Sequence, residues 1–335
     1  MFKIQTLNKI DTEGLGLFPL DNYEIASEIP LPDAIVLRSF NMHEMKLPET
    51  LKAVARAGAG VNNIPIEKCT ENGVVVFNTP GANANGVKEL VIAGLLLASR
   101  DIAQGVEWAK TLAGKGAEVP ALIEQGKKNF AGQELQGKTL AVVGLGAIGV
   151  LVANAAHALG MKVIGSDPYM SVNQALQLSN QVKFVKGIQS LLIQADYITL
   201  NIPLTPETKN YINKEKFGMM KNNVRILNFA RGGLIDLDAL EEAIESGKVA
   251  RYVTDFPNEK TLNMKNVIAI PHLGASTKES ETNCAVMAVN QLKDFLENGN
   301  IKNSVNFPEA QMDRNGGARI LIANQNIPNM VSQIS

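Results

Sequence analysis

Short aliphatic runs alternate with helical patterns between residues 137 and 271. The alternation is typical of a parallel sheet covered by helices, because each parallel strand needs a crossover connection before the next strand begins. Six candidate strands occur there, at residues 139–143, 162–165, 197–200, 225–228, 252–254 and 267–270. Six strands in this order suit a doubly wound, nucleotide-binding sheet.

The first of these strands runs directly into a glycine motif that opens a helix. Gly144 permits the tight turn, Gly146 lets backbone amides approach a pyrophosphate, and Gly149 allows the helix to pack closely on the strand. The positive end of the helix favours the phosphate charge next to Ala147 and Ile148. Glycine-rich turns between strand and helix also occur for packing alone, so the motif needs a second signal.

Asp167 provides that signal, because it ends the next predicted strand roughly 20 residues further on. An acid at this place accepts hydrogen bonds from the ribose diol of a dinucleotide. The same carboxylate repels the 2′-phosphate of NADP, and neither Pro168 nor Tyr169 offers a compensating cation. The sequence therefore predicts NAD as the cofactor.

Three polar residues follow three of the predicted strands: Arg231, Glu259 and His272. The carboxyl ends of parallel strands meet at one edge of the sheet, where ligands bind in this architecture. An arginine can grip a carboxylate with two hydrogen bonds, a histidine can exchange a proton near neutral pH, and an acid can stabilise the imidazolium. The set suits hydride transfer from a carbon that bears a hydroxyl beside a carboxylate. Taken singly, the residues could equally be a helix-capping arginine, a surface glutamate and a strand-end histidine.

Strand-like runs at 33–38, 51–56 and 74–77 predict a first, smaller sheet. The apolar residues of 87–100 cover nearly every face of a helix, so this helix should be buried in the core or against a second subunit. An amphipathic helix at 285–296 should return to the first domain. We expect an α/β protein with two doubly wound parallel-sheet domains and an active-site cleft between them. Residues 1–86 and 281–312 would form a flavodoxin-like substrate domain, 87–280 a Rossmann NAD domain, and 313–335 a linker and appendage.

Composition excludes several other classes of protein. Lysine and arginine number 32 against 33 acidic residues, so no basic excess suggests a nucleic-acid partner. The longest apolar run, Leu90–Ala98, is too short to span a membrane, and the start of the chain has no signal-peptide pattern, so a cytoplasmic location is expected. Cys69 and Cys284 lack metal-ligand spacing, so we expect reduced packing residues and no metal site.

Four segments resemble the D-2-hydroxyacid dehydrogenase family: GLGAIG at 144–149, NIPLTPET at 201–208, NFARGGLID at 228–236 and PHLGAST at 271–277. The resemblance covers about residues 33–308. In that family an arginine, a glutamate and a histidine have the roles argued above, which the resemblance assigns to Arg231, Glu259 and His272.

The resemblance also implies contacts that the residues alone do not predict. Asp255 and the backbone at Ala230 would hold the nicotinamide carboxamide, and Pro203 and Thr208 would line the cofactor cleft. The family further implies a homodimer.

Within the family, residues 36–39, 56–63 and 78–85 resemble the phosphoglycerate dehydrogenases. Arg38 would then contact a substrate phosphate, although a plain surface arginine is the alternative. The loop 58–61 would present backbone amides to the substrate carboxylate. The expected substrate-binding residues besides Arg231 and His272 are Arg38, Ser39, Ala59, Gly60, Val61 and Lys88.

The resemblance implies NAD-dependent oxidation of D-3-phosphoglycerate to 3-phosphohydroxypyruvate, the first step of serine biosynthesis. Two alternatives stay open. One is another D-2-hydroxyacid dehydrogenase, acting on glycerate or hydroxypyruvate, lactate or phosphoerythronate; the other is an NAD-sensing binding protein. Residues 318–330 resemble the opening strand and turn of an ACT regulatory domain, which here stops far short of a complete domain.

Overall fold

A computed structural model describes residues 1–313, 316, 318–322, 324, 330 and 332. The chain divides into two compact units. Unit 1 comprises Met1–Asn83 with Thr277–Ser335, and unit 2 comprises Ala84–Ser276. The divisions fall after residues 83 and 276, where the sequence suggested 86 and 280.

Each unit contains one sheet, and all pairs between the named strands are parallel. The strands are β1 Phe2–Leu7, β2 Tyr23–Ala26, β3 Ala34–Leu37, β4 Ala53–Arg56, β5 Val75–Phe77, β6 Thr139–Val143, β7 Lys162–Ser166, β8 Lys183–Phe184, β9 Tyr197–Leu200, β10 Val224–Asn228, β11 Val249–Thr254 and β12 Val267–Ala269. The order β2-β1-β3-β4-β5 in unit 1 is the flavodoxin-like order, and β12-β11-β10-β9-β6-β7-β8 in unit 2 contains the Rossmann order. The prediction of two parallel-sheet α/β domains is confirmed.

Helices occur in most of the crossovers between strands, although none lies between β2 and β3 or between β3 and β4. They are α1 Thr12–Leu15, α2 Ile66–Glu71, α3 Ala84–Ser99, α4 Ile102–Lys110, α5 Val119–Gly126, α6 Ala147–Ala158, α7 Val172–Gln177, α8 Ile188–Leu192, α9 Lys214–Met219, α10 Leu237–Glu245, α11 Glu259–Asn263 and α12 Lys278–Asn298. Short 3-10 turns lie at Gly116–Glu118, Lys127–Phe130 and Gly232–Leu234.

Several inner strands are buried and mostly apolar because both faces of a parallel sheet are covered. All four residues of β3 and of β9 are buried. Strands β1, β2 and β8 were not predicted from the sequence. β1 carries polar residues and is mostly half-buried, and β8 has only two residues, both exposed, so neither shows an aliphatic run.

Helix α3 buries one of its faces within its unit. Val87, Val91, Leu95 and Ala98 pack in the core. Leu96 on another face is 45% exposed. Burial of that other face against a second subunit, the alternative expected from the sequence, stays a prediction.

Helix α12 confirms the amphipathic pattern at 285–296 and packs in unit 1. Thr277 caps its start by accepting a hydrogen bond from the Ser280 amide, and Gly299 ends it in the left-handed conformation. The helix buries Ala285, Ala288, Val289 and Leu292 against the first sheet.

Cys69 and Cys284 are free and buried. In the part of the chain that the structure describes, no helix is long and apolar enough to cross a membrane. The predicted linker at 313–317 and the ACT-like stretch 318–330 lie largely outside the described residues, and the described residues 318–322 form no regular element.

Candidate active site

The glycine loop between β6 and α6 has the geometry that phosphate binding needs. Gly144 has a φ of +90°, and a Cβ there would come within 2.6 Å of the Asn201 carbonyl oxygen. A Cβ on Gly149 would collide with the Gly144 carbonyl oxygen. Gly146 instead faces open space, with the Gln174 amide nitrogen as the nearest atom at 4.0 Å. The loop therefore leaves room for a ligand at the N-terminus of α6, beside Ala147 and Ile148.

Asp167 follows β7 and is held by the glycine loop itself. Its Oδ2 accepts a hydrogen bond from the Leu145 amide at 2.8 Å, and its Oδ1 accepts one from the Tyr169 amide at 2.8 Å. Each oxygen keeps further acceptor capacity, so the carboxylate remains suited to a ribose diol.

The loop after β9 is stabilised by hydrogen bonds of one threonine, Thr208. The Thr208 hydroxyl donates to the Pro203 carbonyl oxygen at 2.7 Å and accepts from the Thr205 amide at 2.7 Å. The two residues that the resemblance placed at the cofactor cleft thus fix one turn at the carboxyl end of β9.

Arg231 is positioned by Asn228, a residue that the sequence analysis did not single out. Asn228 is fully buried at the end of β10; its Oδ1 accepts from the Ala230 and Arg231 amides, and its Nδ2 donates to the Arg231 carbonyl oxygen at 2.8 Å. Thr254 joins the neighbouring strand end, because its hydroxyl donates to the Asn228 carbonyl oxygen at 3.0 Å. The available sequence signal was an asparagine at the end of a predicted strand, since its side chain can hydrogen-bond to the backbone two residues further on.

Asp255 is the one acid buried within the site. It follows β11 and is 1% exposed. Neither of its carboxyl oxygens meets the geometry of a hydrogen bond to a described residue, although the backbone amides of Asp255 and Gly274 act to lower its pKa. Burial raises the pKa of this carboxyl above its ordinary value, against the nearby positive charges of His272 and Arg231. The charges of Asp255, His272 and Arg231 therefore act on one another.

Phe256 connects the arginine turn with the histidine. Its ring lies 4.6 Å from the His272 ring, and a Cβ on Gly232, next to Arg231, would sit 3.4 Å from the Phe256 Cβ. The side chains of Arg231 and His272 are both exposed, so a ligand can reach them.

Glu259 does not pair with His272 here. It is the first residue of α11, and its Oε1 accepts a hydrogen bond from the side-chain Nδ2 of Asn263 at 3.0 Å. Within the described ranges no ion pair or hydrogen bond joins Glu259 to His272. Of the three predicted catalytic residues, the structure brings two near a common acid, and that acid is Asp255.

The residues of unit 1 that were expected to bind substrate lie at the carboxyl ends of β3 and β4. Arg38 follows β3, and Ser39 is exposed, with its amide donating to Asn8. The Ala59 carbonyl oxygen accepts from Asn78 at 2.7 Å, which fixes the half-buried loop that continues through Gly60 and Val61. Lys88 belongs to unit 2, where it pairs with Glu89 at 3.5 Å on α3.

Two charged neighbours of Arg38 were not predicted from the sequence. Arg56 ends β4, and its Nε donates to the Arg38 carbonyl oxygen at 3.0 Å. Glu281, in the first turn of α12, forms an ion pair with Arg38 at 2.6 Å. No local pattern signals that pair, because the two residues meet only through the fold.

The residues of unit 2 fit a dinucleotide. Open space at Gly146 beside a helix N-terminus suits a pyrophosphate, and the acceptor capacity left on Asp167 suits a ribose diol. No group of acidic, cysteine or histidine residues suited to hold a metal ion occurs among the described residues.

Comparison with known proteins agrees with this geometry. Residues 92–274 match the model of the D-isomer specific 2-hydroxyacid dehydrogenase NAD binding domain. A D-3-phosphoglycerate dehydrogenase of Methanocaldococcus jannaschii is 37% identical over 325 residues, 94% of this chain and 60% of that protein. A hydroxypyruvate reductase of Thermotoga maritima is 38% identical over 285 residues, 82% of this chain and 88% of that protein.

Among solved structures, the NAD+-bound 3-phosphoglycerate dehydrogenase of Entamoeba histolytica has a TM-score of 0.71 and 28% identity over 91% of this chain and 99% of that one. The chain spans about three fifths of the length of the Methanocaldococcus relative. The family resemblance and the NAD cofactor predicted from the sequence are confirmed. Because the family model matches more than half of the residues and the Thermotoga protein is matched over most of its length, the chain belongs to the D-2-hydroxyacid dehydrogenase family.

Proposed function

We propose that this chain oxidises D-3-phosphoglycerate to 3-phosphohydroxypyruvate with NAD. The observation that carries the proposal is the placement of Arg231 and His272: both are exposed after strands of the dinucleotide-binding sheet, and Phe256 contacts the His272 ring and lies beside Gly232. The choice of substrate is supported by the 37% identity to a phosphoglycerate dehydrogenase over 94% of the chain.

Arg231 binds the substrate carboxylate and polarises the neighbouring oxygen, since its guanidinium offers two parallel donors. His272 takes the hydroxyl proton at a ring nitrogen. Bound NAD supplies the acceptor for the hydride. The Ala59–Val61 backbone adds hydrogen bonds to the carboxylate, and Arg38 binds the phosphate.

The acid that stabilises the His272 imidazolium is either Glu259 or Asp255. The predicted partner, Glu259, needs a different side-chain rotamer because its carboxylate is held by Asn263. If Glu259 acts on His272, Glu259→Gln shifts the acidic limb of the pH–rate profile. An unshifted limb in Glu259→Gln, together with a shifted limb in Asp255→Asn, transfers the role to Asp255.

A panel of acids tests the substrate. Purified protein and NAD are offered D-3-phosphoglycerate, D-glycerate, D-lactate and 4-phospho-D-erythronate, and NADH formation is followed by absorbance. We expect the phosphoglycerate to give the highest kcat/KM, and Arg38→Ala to raise KM selectively for the phosphorylated acids. Preference for an unphosphorylated acid would favour a hydroxypyruvate reductase-like activity, which the Thermotoga relative supports.

Arg231→Lys separates catalysis from cofactor binding. Loss of one charge-assisted hydrogen bond and of the forked geometry costs about 1.5–3 kcal/mol, or roughly 10- to 150-fold in kcat/KM. Fluorescence titration with NADH should give an unchanged dissociation constant. NADH binding without turnover of any acid by the parent protein favours the NAD-sensing alternative.

The homodimer also remains a proposal. Helices α4 and α5 bury no residue within the chain, and Ile102 and Val106 of α4 are 44% and 49% exposed. Spaced four residues apart, these two side chains share one helix face, which a second copy would cover. A cytoplasmic location stays a prediction from the sequence.

A further inference from the structure

Arg38, the proposed phosphate ligand, already has an anionic partner in its own unit. Its Nη1 lies 2.6 Å from Oε1 of Glu281. The two side chains are 37% and 44% exposed, so solvent reaches the pair and weakens it. An incoming anion can therefore compete with Glu281 for the same guanidinium.

A second guanidinium lies beside this pair. Arg56 is anchored through its Nε to the Arg38 carbonyl oxygen, and its Nη1 lies so close to Gly58 that a Cβ there would collide with it. Burial raises the pKa of the Cys284 thiol, and the charges of Arg38, Arg56 and Glu281 all act on that thiol. The three charged groups thus share one neighbourhood at the carboxyl ends of β3 and β4.

The cluster thus contains two guanidinium groups and one carboxylate. A phosphate dianion would gain from both arginines but would meet Glu281 as a like charge. A substrate without a distal anion meets no such opposition and has no need of the Arg38 donors. Glu281 therefore acts on one class of substrate only.

Building on the proposed function, we propose that Glu281 is a specificity-determining residue. Its carboxylate holds Arg38 in the absence of substrate and must be displaced by the phosphate of a phosphorylated 2-hydroxy acid. The free energy needed to displace Glu281 from Arg38 weakens the binding of phosphorylated acids. It therefore lowers the preference for phosphorylated over unphosphorylated acids.

The test compares Glu281→Gln and Glu281→Ala with Glu279→Gln. Glu279 is exposed in the same first turn of α12 and has no ion pair among the residues that the structure describes, so its variant removes an equal charge without touching Arg38. The measured quantity is kcat/KM for D-3-phosphoglycerate divided by kcat/KM for D-glycerate, with NAD. We expect the ratio to rise about threefold to tenfold in both Glu281 variants and to stay at the parent value in Glu279→Gln.

An unchanged ratio in the Glu281 variants overturns the proposal. A lower ratio also overturns it, because Glu281 would then be needed to position Arg38. An equal rise in Glu279→Gln would assign the effect to general surface charge.

Calorimetric titration with inorganic phosphate gives a readout that does not need turnover. We expect tighter binding by Glu281→Gln than by Glu279→Gln, and loss of binding in Arg38→Ala. If the parent protein oxidises no acid but phosphate binding responds in this way, the proposed function fails while the Arg38–Glu281 competition stands. If turnover occurs and neither readout responds, only the role of Glu281 fails.

Discussion

At the scale of single residues, the Asp255 carboxyl lies in the interior, and neither of its oxygens meets the geometry of a hydrogen bond to a described residue. Because burial raises the pKa of Asp255, deprotonating this carboxyl costs more free energy in the folded protein than in the unfolded chain. Stability from this group is full below the unfolded pKa of about 3.9 and falls as pH rises through the higher folded pKa. We expect Asp255→Asn to melt above the parent at pH 8, by about 2–4 °C per kcal/mol, with the gain shrinking toward pH 4.5.

Asp196 provides a control, because its contribution to stability changes with pH in the opposite direction to that of Asp255. Burial acts to raise its pKa, but hydrogen bonds from Lys221 and the Thr139 amide, with the Lys221 charge, outweigh burial and hold the pKa below the ordinary value. Its stabilisation is present above the unfolded pKa and is lost as pH falls. Asp196→Asn should therefore melt lower than the parent at pH 8. A lower melting temperature for Asp255→Asn at pH 8 would contradict the sign assigned to Asp255.

Asp167 should select the cofactor by charge. Asp167→Asn keeps an oxygen that can accept from the Leu145 or Tyr169 amide but removes the repulsion toward a 2′-phosphate. We expect the ratio of kcat/KM with NAD to kcat/KM with NADP to fall at least tenfold, mainly because NADP improves. The same ratio in parent and variant would remove Asp167 from cofactor selection.

At the scale of elements, the turn from β6 into α6 contains two glycines with different requirements. At Gly146 a Cβ would enter open space, whereas at Gly149 it would collide with the Gly144 carbonyl oxygen. Gly146→Ala should keep the parent melting temperature within about 1 °C and weaken NADH binding at least tenfold, because the added methyl occupies the phosphate approach. Gly149→Ala should lose stability by about 1–3 kcal/mol even without cofactor.

Thermal melts and NADH titrations of the two glycine variants test both predictions. Parent-like NADH affinity in Gly146→Ala would mean that the pyrophosphate lies elsewhere. A parent-like melting temperature in Gly149→Ala would mean that α6 can move away from β6 at little cost.

At the scale of the whole molecule, the exposed face of α4 predicts association. Ile102→Glu combined with Val106→Glu places two charges on that face. We expect light scattering after size exclusion to report a dimer for the parent and a monomer for this double variant. Val172→Glu on α7, at a valine that is 76% exposed, is the control and should remain dimeric. A monomeric parent protein would rule the dimer out.

The sequence by itself determined six of the seven strands of the second sheet, the glycine loop and the amphipathic helix α12. Each has a local sequence pattern: mostly apolar runs predict β6 and β9, a strand–turn–helix pattern contains Gly144–Gly149, and apolar residues three or four positions apart predict the helix at Ala285–Leu292. Strands β1 and β2 were missed because they mix polar with apolar residues, and β8 was missed because it has only two residues.

Only the tertiary structure decided which charges meet. Arg231 and His272 follow strands that can be recognised in the sequence, so their arrival at one sheet edge could be predicted. The burial of Asp255 beside them, and the pairing of Arg38 with Glu281, depend on how distant segments pack. Hydrophobic periodicity fixes the path of the backbone within each element, whereas the contacts between charged side chains arise from long-range packing, which leaves no local period in the sequence.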